Sequence, residues 1–149
     1  MARPGSIVVG TDGSDRAEHA LDRAGELARL LGVKLHVVSC YGKGLDGVGA
    51  AAPARRASMA GQEQEGERTR AQHSVDRAQQ RLARLGVESE THVWPGEPAS
   101  ALVQIADEQD AQMIVVGNRG MTGARRVLGS VPNRVSHNAH CDVLIVMTA

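Results

Sequence analysis

Gly117-Asn118-Arg119-Gly120-Met121-Thr122-Gly123-Ala124-Arg125-Arg126-Val127-Leu128-Gly129-Ser130 brings four glycines, three arginines and two hydroxyl side chains into fourteen residues. The chemistry such a stretch can do is to hold an anion. Glycines let backbone N–H groups approach phosphate oxygens with no Cβ in the way, and Gly117 and Gly120 are spaced for such a nest. Gly129-Ser130 precedes a helical pattern whose free N–H groups and positive dipole end suit the same ligand, with the Ser130 hydroxyl as a further donor. A second polar turn, Gly10-Thr11-Asp12-Gly13-Ser14, offers the opposite property, a carboxylate acceptor suited to a ribose hydroxyl. Asp-Gly-Ser is also ordinary turn chemistry, so Asp12 has two readings, ligand contact or cap.

Other constellations carry less. No G-x-x-x-x-G-K-[ST] occurs, so a P-loop has no candidate, and Gly47 to Ala52 matches GxGxxA with no strand leading into it and with Pro53 directly after it. His137, His140 and Cys141 are metal-ligating types, but Cys141 falls at a helix-to-strand turn without a fourth ligand nearby, and His19, His36, His73 and His92 are scattered; no metal site is expected. Ser14 and Ser130 are placed as caps, no G-x-S-x-G elbow is present, and no catalytic residue is assigned. A phospho-acceptor of the receiver type needs a carboxylate after the third strand and a lysine after the fifth, where this chain has Trp94-Pro95 and Met147-Thr148.

The elements that must position the two turns follow from periodicity. Ser6 to Gly10 and Met113 to Val116 are short apolar runs of the kind buried on both faces of a parallel sheet, and each runs directly into one of the glycine-rich turns. Ser14 caps a helix whose face is Ala17, Ala20, Leu21, Ala24, Leu27, Ala28 and Leu31, ended by Gly32. A strand follows at Val33 to Cys40. The pattern dissolves from Tyr41 to about Gly66, read as a flexible insertion, and returns with Ala71, Val75, Ala78, Leu82 and Leu85. Val87 to Trp94 alternates as a strand near a sheet edge, Pro98 opens a third helix, Val131 to Asn138 forms a short fourth, and Val143 to Val146 is the last strand. Strands alternating with helices predict one doubly wound α/β domain over residues 1–149, a five-stranded parallel sheet with order 3-2-1-4-5. In that order strands one and four are neighbours, and their turns meet in the crevice where such sheets bind ligands.

Composition narrows the partners. Seventeen basic and seventeen acidic residues cancel, which gives no general field for nucleic acid or an anionic membrane. Phe is absent and Tyr41 and Trp94 are the only Tyr and Trp, too few for a base-stacking surface. No apolar run nears the roughly 20 residues of a membrane helix, and the N-terminus lacks signal-peptide organisation, so the expected location is the cytoplasm. Cys40 and Cys141 fit neither a CxxC pair nor a disulfide framework.

IVVGTDGSD at the first strand, VVGNRGMTGARRVLGS at the fourth and SVPNRVSHNAHCDVLIV at the end resemble a universal stress protein of the UspA type. The resemblance spans the chain and is weakest between about Gly42 and Arg70. The family's nucleotide motif is Gly, two residues, Gly, nine residues, Gly, then Ser or Thr; Gly117, Gly120, Gly129 and Ser130 match it, with eight residues in the long spacer. The resemblance implies a flavodoxin-like or Rossmann-like fold, usually dimeric, and in the ATP-binding branch a nucleotide in the crevice. Asp12, with Gly10 and Thr11, would meet the ribose or base. Cys40 and Val116 would line the adenine slot. Gly117, Asn118, Arg119, Gly120, Gly129, Ser130 and Val131 would lie along the phosphates. The expected ligand is ATP, accompanied by Mg2+, or another adenylate such as AMP or cyclic AMP. The alternatives are a nucleotide-free module dimerising through its last strand and, less favoured, a slow ATPase.

Overall fold

A computed structural model of the chain describes residues 5–42, 54–118 and 130–148. In chain order the elements are β1 (Ile7–Gly10), α1 (Asp15–Leu31), β2 (Leu35–Tyr41), α2 (Ala54–Arg84), β3 (Ser89–Pro95), α3 (Pro98–Glu108), β4 (Met113–Gly117), α4 (Ser130–Asn138) and β5 (Asp142–Val146). The five strands form one sheet of order β3-β2-β1-β4-β5, and every pairing is parallel. The order expected from the sequence is the order found.

Strand alternation divides the core between the two sheet faces. Ile7, Val9, Leu35, Val37 and Val115 pack with Leu21 and Ala24 of α1 and Val75 and Leu82 of α2. Val8, Val38, Ile114 and Val116 pack on the other face with Leu102 and Ile105 of α3 and Val135 of α4. This explains why β1 and β4 read as unbroken apolar runs: a strand covered on both sides has no polar face. Their central residues Val8, Val9, Ile114 and Val115 are completely buried. The helix ends carry the local signals that the sequence predicts. Ser14 Oγ accepts from the Ala17 N–H at the start of α1, and Gly32 closes it at φ 67°, a left-handed conformation that costs glycine little.

One boundary differs. The segment up to about Gly66, expected to lie outside regular structure, is helical from Ala54 onward. Its Ala, Arg, Met, Gln and Glu residues are strong intrinsic helix formers, but they carry no apolar stripe, so hydrophobic periodicity does not mark this part of the helix. At about 1.5 Å per residue α2 is roughly 46 Å long, whereas a seven-residue strand spans about 23 Å. Its buried positions Ala71, Val75, Ala78 and Leu82 lie in the C-terminal half, while residues 61–65 are exposed, so the N-terminal half overruns the sheet. Among the described residues no helix is long and apolar enough to cross a membrane.

Candidate functional site at the strand ends

β1 and β4 lie side by side, with Ile7, Val8 and Val9 in register with Met113, Ile114 and Val115, so both chains leave the sheet at the same rim. Between them opens a cavity of about 470 Å³. From β1 and its turn come Gly10, Thr11 and Asp12; from β2, Val38 and Cys40; from β4, Val116 and Gly117; and from α4, Val131 and Pro132. The sequence brings these together because parallel strands all present their carboxyl ends on one edge, and the sheet changes winding direction there.

The β1 turn is built by its own side chains. Thr11 N–H donates to the Val38 carbonyl at 2.8 Å, which fixes the turn to the middle of β2. Asp12 Oδ1 accepts from the Ser14 N–H at 3.0 Å and from the Ser14 hydroxyl at 2.6 Å, while that hydroxyl accepts from Ala17 N–H at 3.2 Å. Asp12 thus caps the turn and also lines the cavity; the two readings are not exclusive. Gly13 has φ 80°, and a Cβ there would stand 2.6 Å from Ser74 Oγ of α2, so a side chain at this position would be strained and would force Ser74 to move.

The floor is apolar and closely packed. Val38 and Val116 are buried, Leu102 and Pro98 approach from α3, and a Cβ on Gly10 would stand 3.4 Å from Leu102. Burial pushes the Cys40 thiol up to about 11, with the Glu97 carboxylate adding to the effect. The neutral thiol is therefore the favoured form of Cys40 in this wall. Glu97 itself caps α3, accepting from Ala99 N–H at 2.9 Å and from the Ser100 N–H and hydroxyl at 2.9 and 2.7 Å, with Arg134 of α4 3.5 Å away. Burial opposes its ionisation, but the Ser100 and Ala99 bonds and Arg134 outweigh it and hold the carboxyl below its ordinary range. This cap fixes the start of α3 against α4, where Pro98 and Val131 meet the cavity.

Gly10, Thr11, Asp12, Cys40, Val116, Gly117 and Val131, each singled out from the sequence, converge on this one space. Asn118 does not join the described lining. It is 5% exposed, and its Oδ1 accepts from the Thr148 N–H and hydroxyl, both at 2.8 Å, tying the end of β4 to the segment after β5. Arg119, Gly120 and Gly129 lie outside the described residues, and Ser130 is described only as the first residue of α4. Sequence reasoning missed Arg16, Ala17 and Ala20 of α1, Val38 of β2, and Pro98, Leu102, Pro132 and Thr148. Arg16 had a legible signal, because it lies in the first turn of a helix that begins directly after the Asp12 turn. Among the described lining residues it is the one cation and Asp12 the one anion.

The histidines also differ from expectation. His36 of β2 and His92 of β3 meet with Nδ1 and Nε2 3.0 Å apart, although 56 positions separate them. Burial, and then His92 beside it, push the His36 imidazole below its ordinary value. His140, by contrast, pairs with Asp107 at 3.1 Å on the surface.

The fold and the rim cavity can be set beside known proteins. A sequence model described as the universal stress protein family matches residues 5–147. Universal stress protein Rv1636 of Mycobacterium tuberculosis is 39% identical over 147 residues, covering 96% of each chain. Among solved structures, a universal stress protein in complex with cAMP aligns with TM-score 0.70 and 33% identity, over 99% of this chain and 100% of that one. The universal stress protein from Archaeoglobus fulgidus in complex with dAMP aligns with TM-score 0.57 and 28% identity, over 97% and 98%. With the family model spanning nearly the whole chain and a relative matching end to end, the chain belongs to the universal stress protein family.

Proposed function

We propose that this protein binds an adenine nucleotide in the rim cavity and acts as a cytoplasmic stress-response regulator through the bound and free states. The observation that carries the reading is the cavity between β1 and β4, with apolar walls, a carboxylate at Asp12 and a cation at Arg16. Its volume of about 470 Å³ suits a nucleoside with phosphate extending outward; small-molecule sites run about 300–1,000 Å³. Val38, Cys40, Leu102 and Val116 form the base slot, Asp12 accepts from the ribose, and phosphate lies toward the start of α4. The cAMP and dAMP complexes of relatives support an adenylate of this size.

ATP is the leading ligand, on the glycine and serine pattern from Gly117 to Ser130, with Mg2+ as its companion ion. The eight-residue spacer between Gly120 and Gly129 makes AMP and cyclic AMP the direct competitors. Binding is the function in this reading, and turnover is not required for it. Mass spectrometry of small molecules released from freshly purified protein, followed by calorimetry with ATP, ADP, AMP and cyclic AMP, tests it. An adenylate in the extract and a binding isotherm lost in Asp12→Ala are expected. No nucleotide in the extract and no heat with any of the four overturns the reading.

A second reading has its own observation. β5 is an edge strand followed by Met147, which is 73% exposed, and this edge is available to a second copy of the chain. A homodimer through β5 is compatible with nucleotide binding, and in a nucleotide-free form it would be the whole function.

A further inference from the structure

Sheet register creates a second polar cluster that the rim cavity does not use. His36 pairs with Glu90 and Val38 with His92 along the β2–β3 ladder, so His36, Glu90 and His92 project from the same face. A ring nitrogen of each histidine and a carboxylate oxygen of Glu90 lie within 4.8 Å of one another. Val38 touches the rim cavity and His36 stands two residues before it, roughly 7 Å down the strand, so the cluster lies below the cavity. We propose that His36, Glu90 and His92 form a binding site for one divalent transition-metal cation of the zinc class.

Two imidazoles and a carboxylate are the donor set of an open zinc centre, three protein ligands with water in the fourth position. Nitrogens bound to a tetrahedral zinc at about 2.0–2.1 Å lie roughly 3.3 Å apart, and the two here are 3.0 Å apart. A separation change of a few tenths of an ångström suffices. In the metal-free pair one ring donates its N–H to the other; on binding, that ring carries its hydrogen on its other nitrogen instead, and both facing lone pairs are freed without net loss of a proton. Depth is graded, with His36 only 2% exposed, His92 half-buried and Glu90 exposed. The imidazole at the bottom is thus fixed by packing, and the open position faces solvent. Glu90 is held near the pair by Lys34, whose Nζ is 3.5 Å from Oε2. Imidazole with carboxylate favours zinc, copper or nickel over magnesium or calcium, which select all-oxygen sets. A bound ion would cross-link the edge strand β3 to β2 at the middle of the ladder.

The test uses the full chain stripped with a chelator and titrated with Zn2+ alone by calorimetry, with thermal unfolding in parallel. One equivalent per chain and a rise in Tm are expected. Glu90→Gln and His92→Gln, neither at a fully buried position, should each weaken binding more than about 10-fold, since loss of even an indirect metal partner costs about 10–100-fold. Circular dichroism verifies that both variants fold, and His140→Ala should leave the isotherm unchanged. Equal affinity in wild type, Glu90→Gln and His92→Gln overturns the proposal, as does Zn2+ binding that His140→Ala abolishes. Mg2+ giving the same Tm rise as Zn2+ also overturns it.

Discussion

Asn118 and Arg16 exchange the roles that residue type suggests for them. Asn118 follows the strand that carries the glycine pattern, yet its amide oxygen takes both polar groups of Thr148 at 2.8 Å, and both residues are buried. Asn118→Leu leaves the Thr148 N–H and hydroxyl without this acceptor, so a loss of about 1–3 kcal/mol of stability is expected, measured by urea unfolding. Gly117 belongs to the same knot, since a Cβ there would stand 2.9 Å from Thr148 Cγ2. Arg16 looks like a solvated helix residue but stands on the cavity wall. Because it is exposed, its contribution to a phosphate is modest, about 1 kcal/mol or less. Arg16→Ala should therefore weaken ATP roughly up to fivefold and leave adenosine unchanged in competition calorimetry. Equal loss for both ligands would assign Arg16 to the wall and not to charge.

Among the elements, α1 and α2 are joined by a charged clamp whose pH response has a definite sign. Arg81 Nε and Nη2 donate to Asp22 Oδ1 and Oδ2 at 2.6 and 2.8 Å, and Glu18 forms ion pairs with Arg77 and Arg81 at 3.6 and 3.5 Å. The Arg81 hydrogen bonds, against some opposition from burial, hold the Asp22 carboxyl below its ordinary value. Asp22 thus stabilises the fold above its unfolded pKa, about 3.9, and the contribution disappears as pH falls through the lower folded value. Both side chains are 42% exposed, so solvent screening keeps it to about 1 kcal/mol or less. The Tm difference between wild type and Asp22→Asn should be present at pH 7 and close on acidification below about pH 4. The elements also differ in legibility. Ile7-Val8-Val9 and Ile114-Val115-Val116 announce themselves as two-face strands, and Ser14, Gly32 and Pro98 mark helix ends by chemistry local to each residue. The first turns of α2 could not be found by periodicity, because propensity alone carries them. The His36–His92 contact was illegible for a different reason, since it exists only once β2 and β3 are paired in a particular register. Likewise Leu102 and Pro98 join the cavity through tertiary packing of α3, which no spacing within the chain displays.

At the scale of the whole molecule the two sheet edges are unlike. The start of β3 is charged, with Glu88 just before it and Glu90 on it both paired to Lys34 just before β2, whereas β5 after Asp142 is apolar and half-buried. Asp142 N–H donates to Gln112 and the Val146 carbonyl accepts from Asn118, so the backbone groups of residues 142, 144 and 146 face β4 and those of 143 and 145 face outward. Ile145→Pro removes one outward N–H and keeps the β4 ladder. A dimer through this edge should become monomeric in sedimentation velocity, with circular dichroism unchanged. A dimer that persists in the folded variant places the contact elsewhere. A zinc ion at His36, Glu90 and His92 would act on the β3 side of the sheet, at the opposite edge from β5.

The overrun of α2 beyond the sheet has a kinetic consequence. Its amides from about Ala71 to Leu82 are covered by the sheet and exchange hydrogen with solvent only in openings that approach global unfolding, whereas those near residues 61–65 open locally at far lower cost. Deuterium uptake along this single helix should therefore rise steeply toward its N-terminus, with the break near Arg70. Glu67 accepts from the Gly42 N–H at 2.7 Å and Ser74 abuts Gly13, so that break lies where α2 touches the turns after β2 and β1. An adenylate that steadies those turns should slow exchange around Glu67 while leaving Leu82 unaffected, making occupancy of the rim readable on a helix outside the cavity.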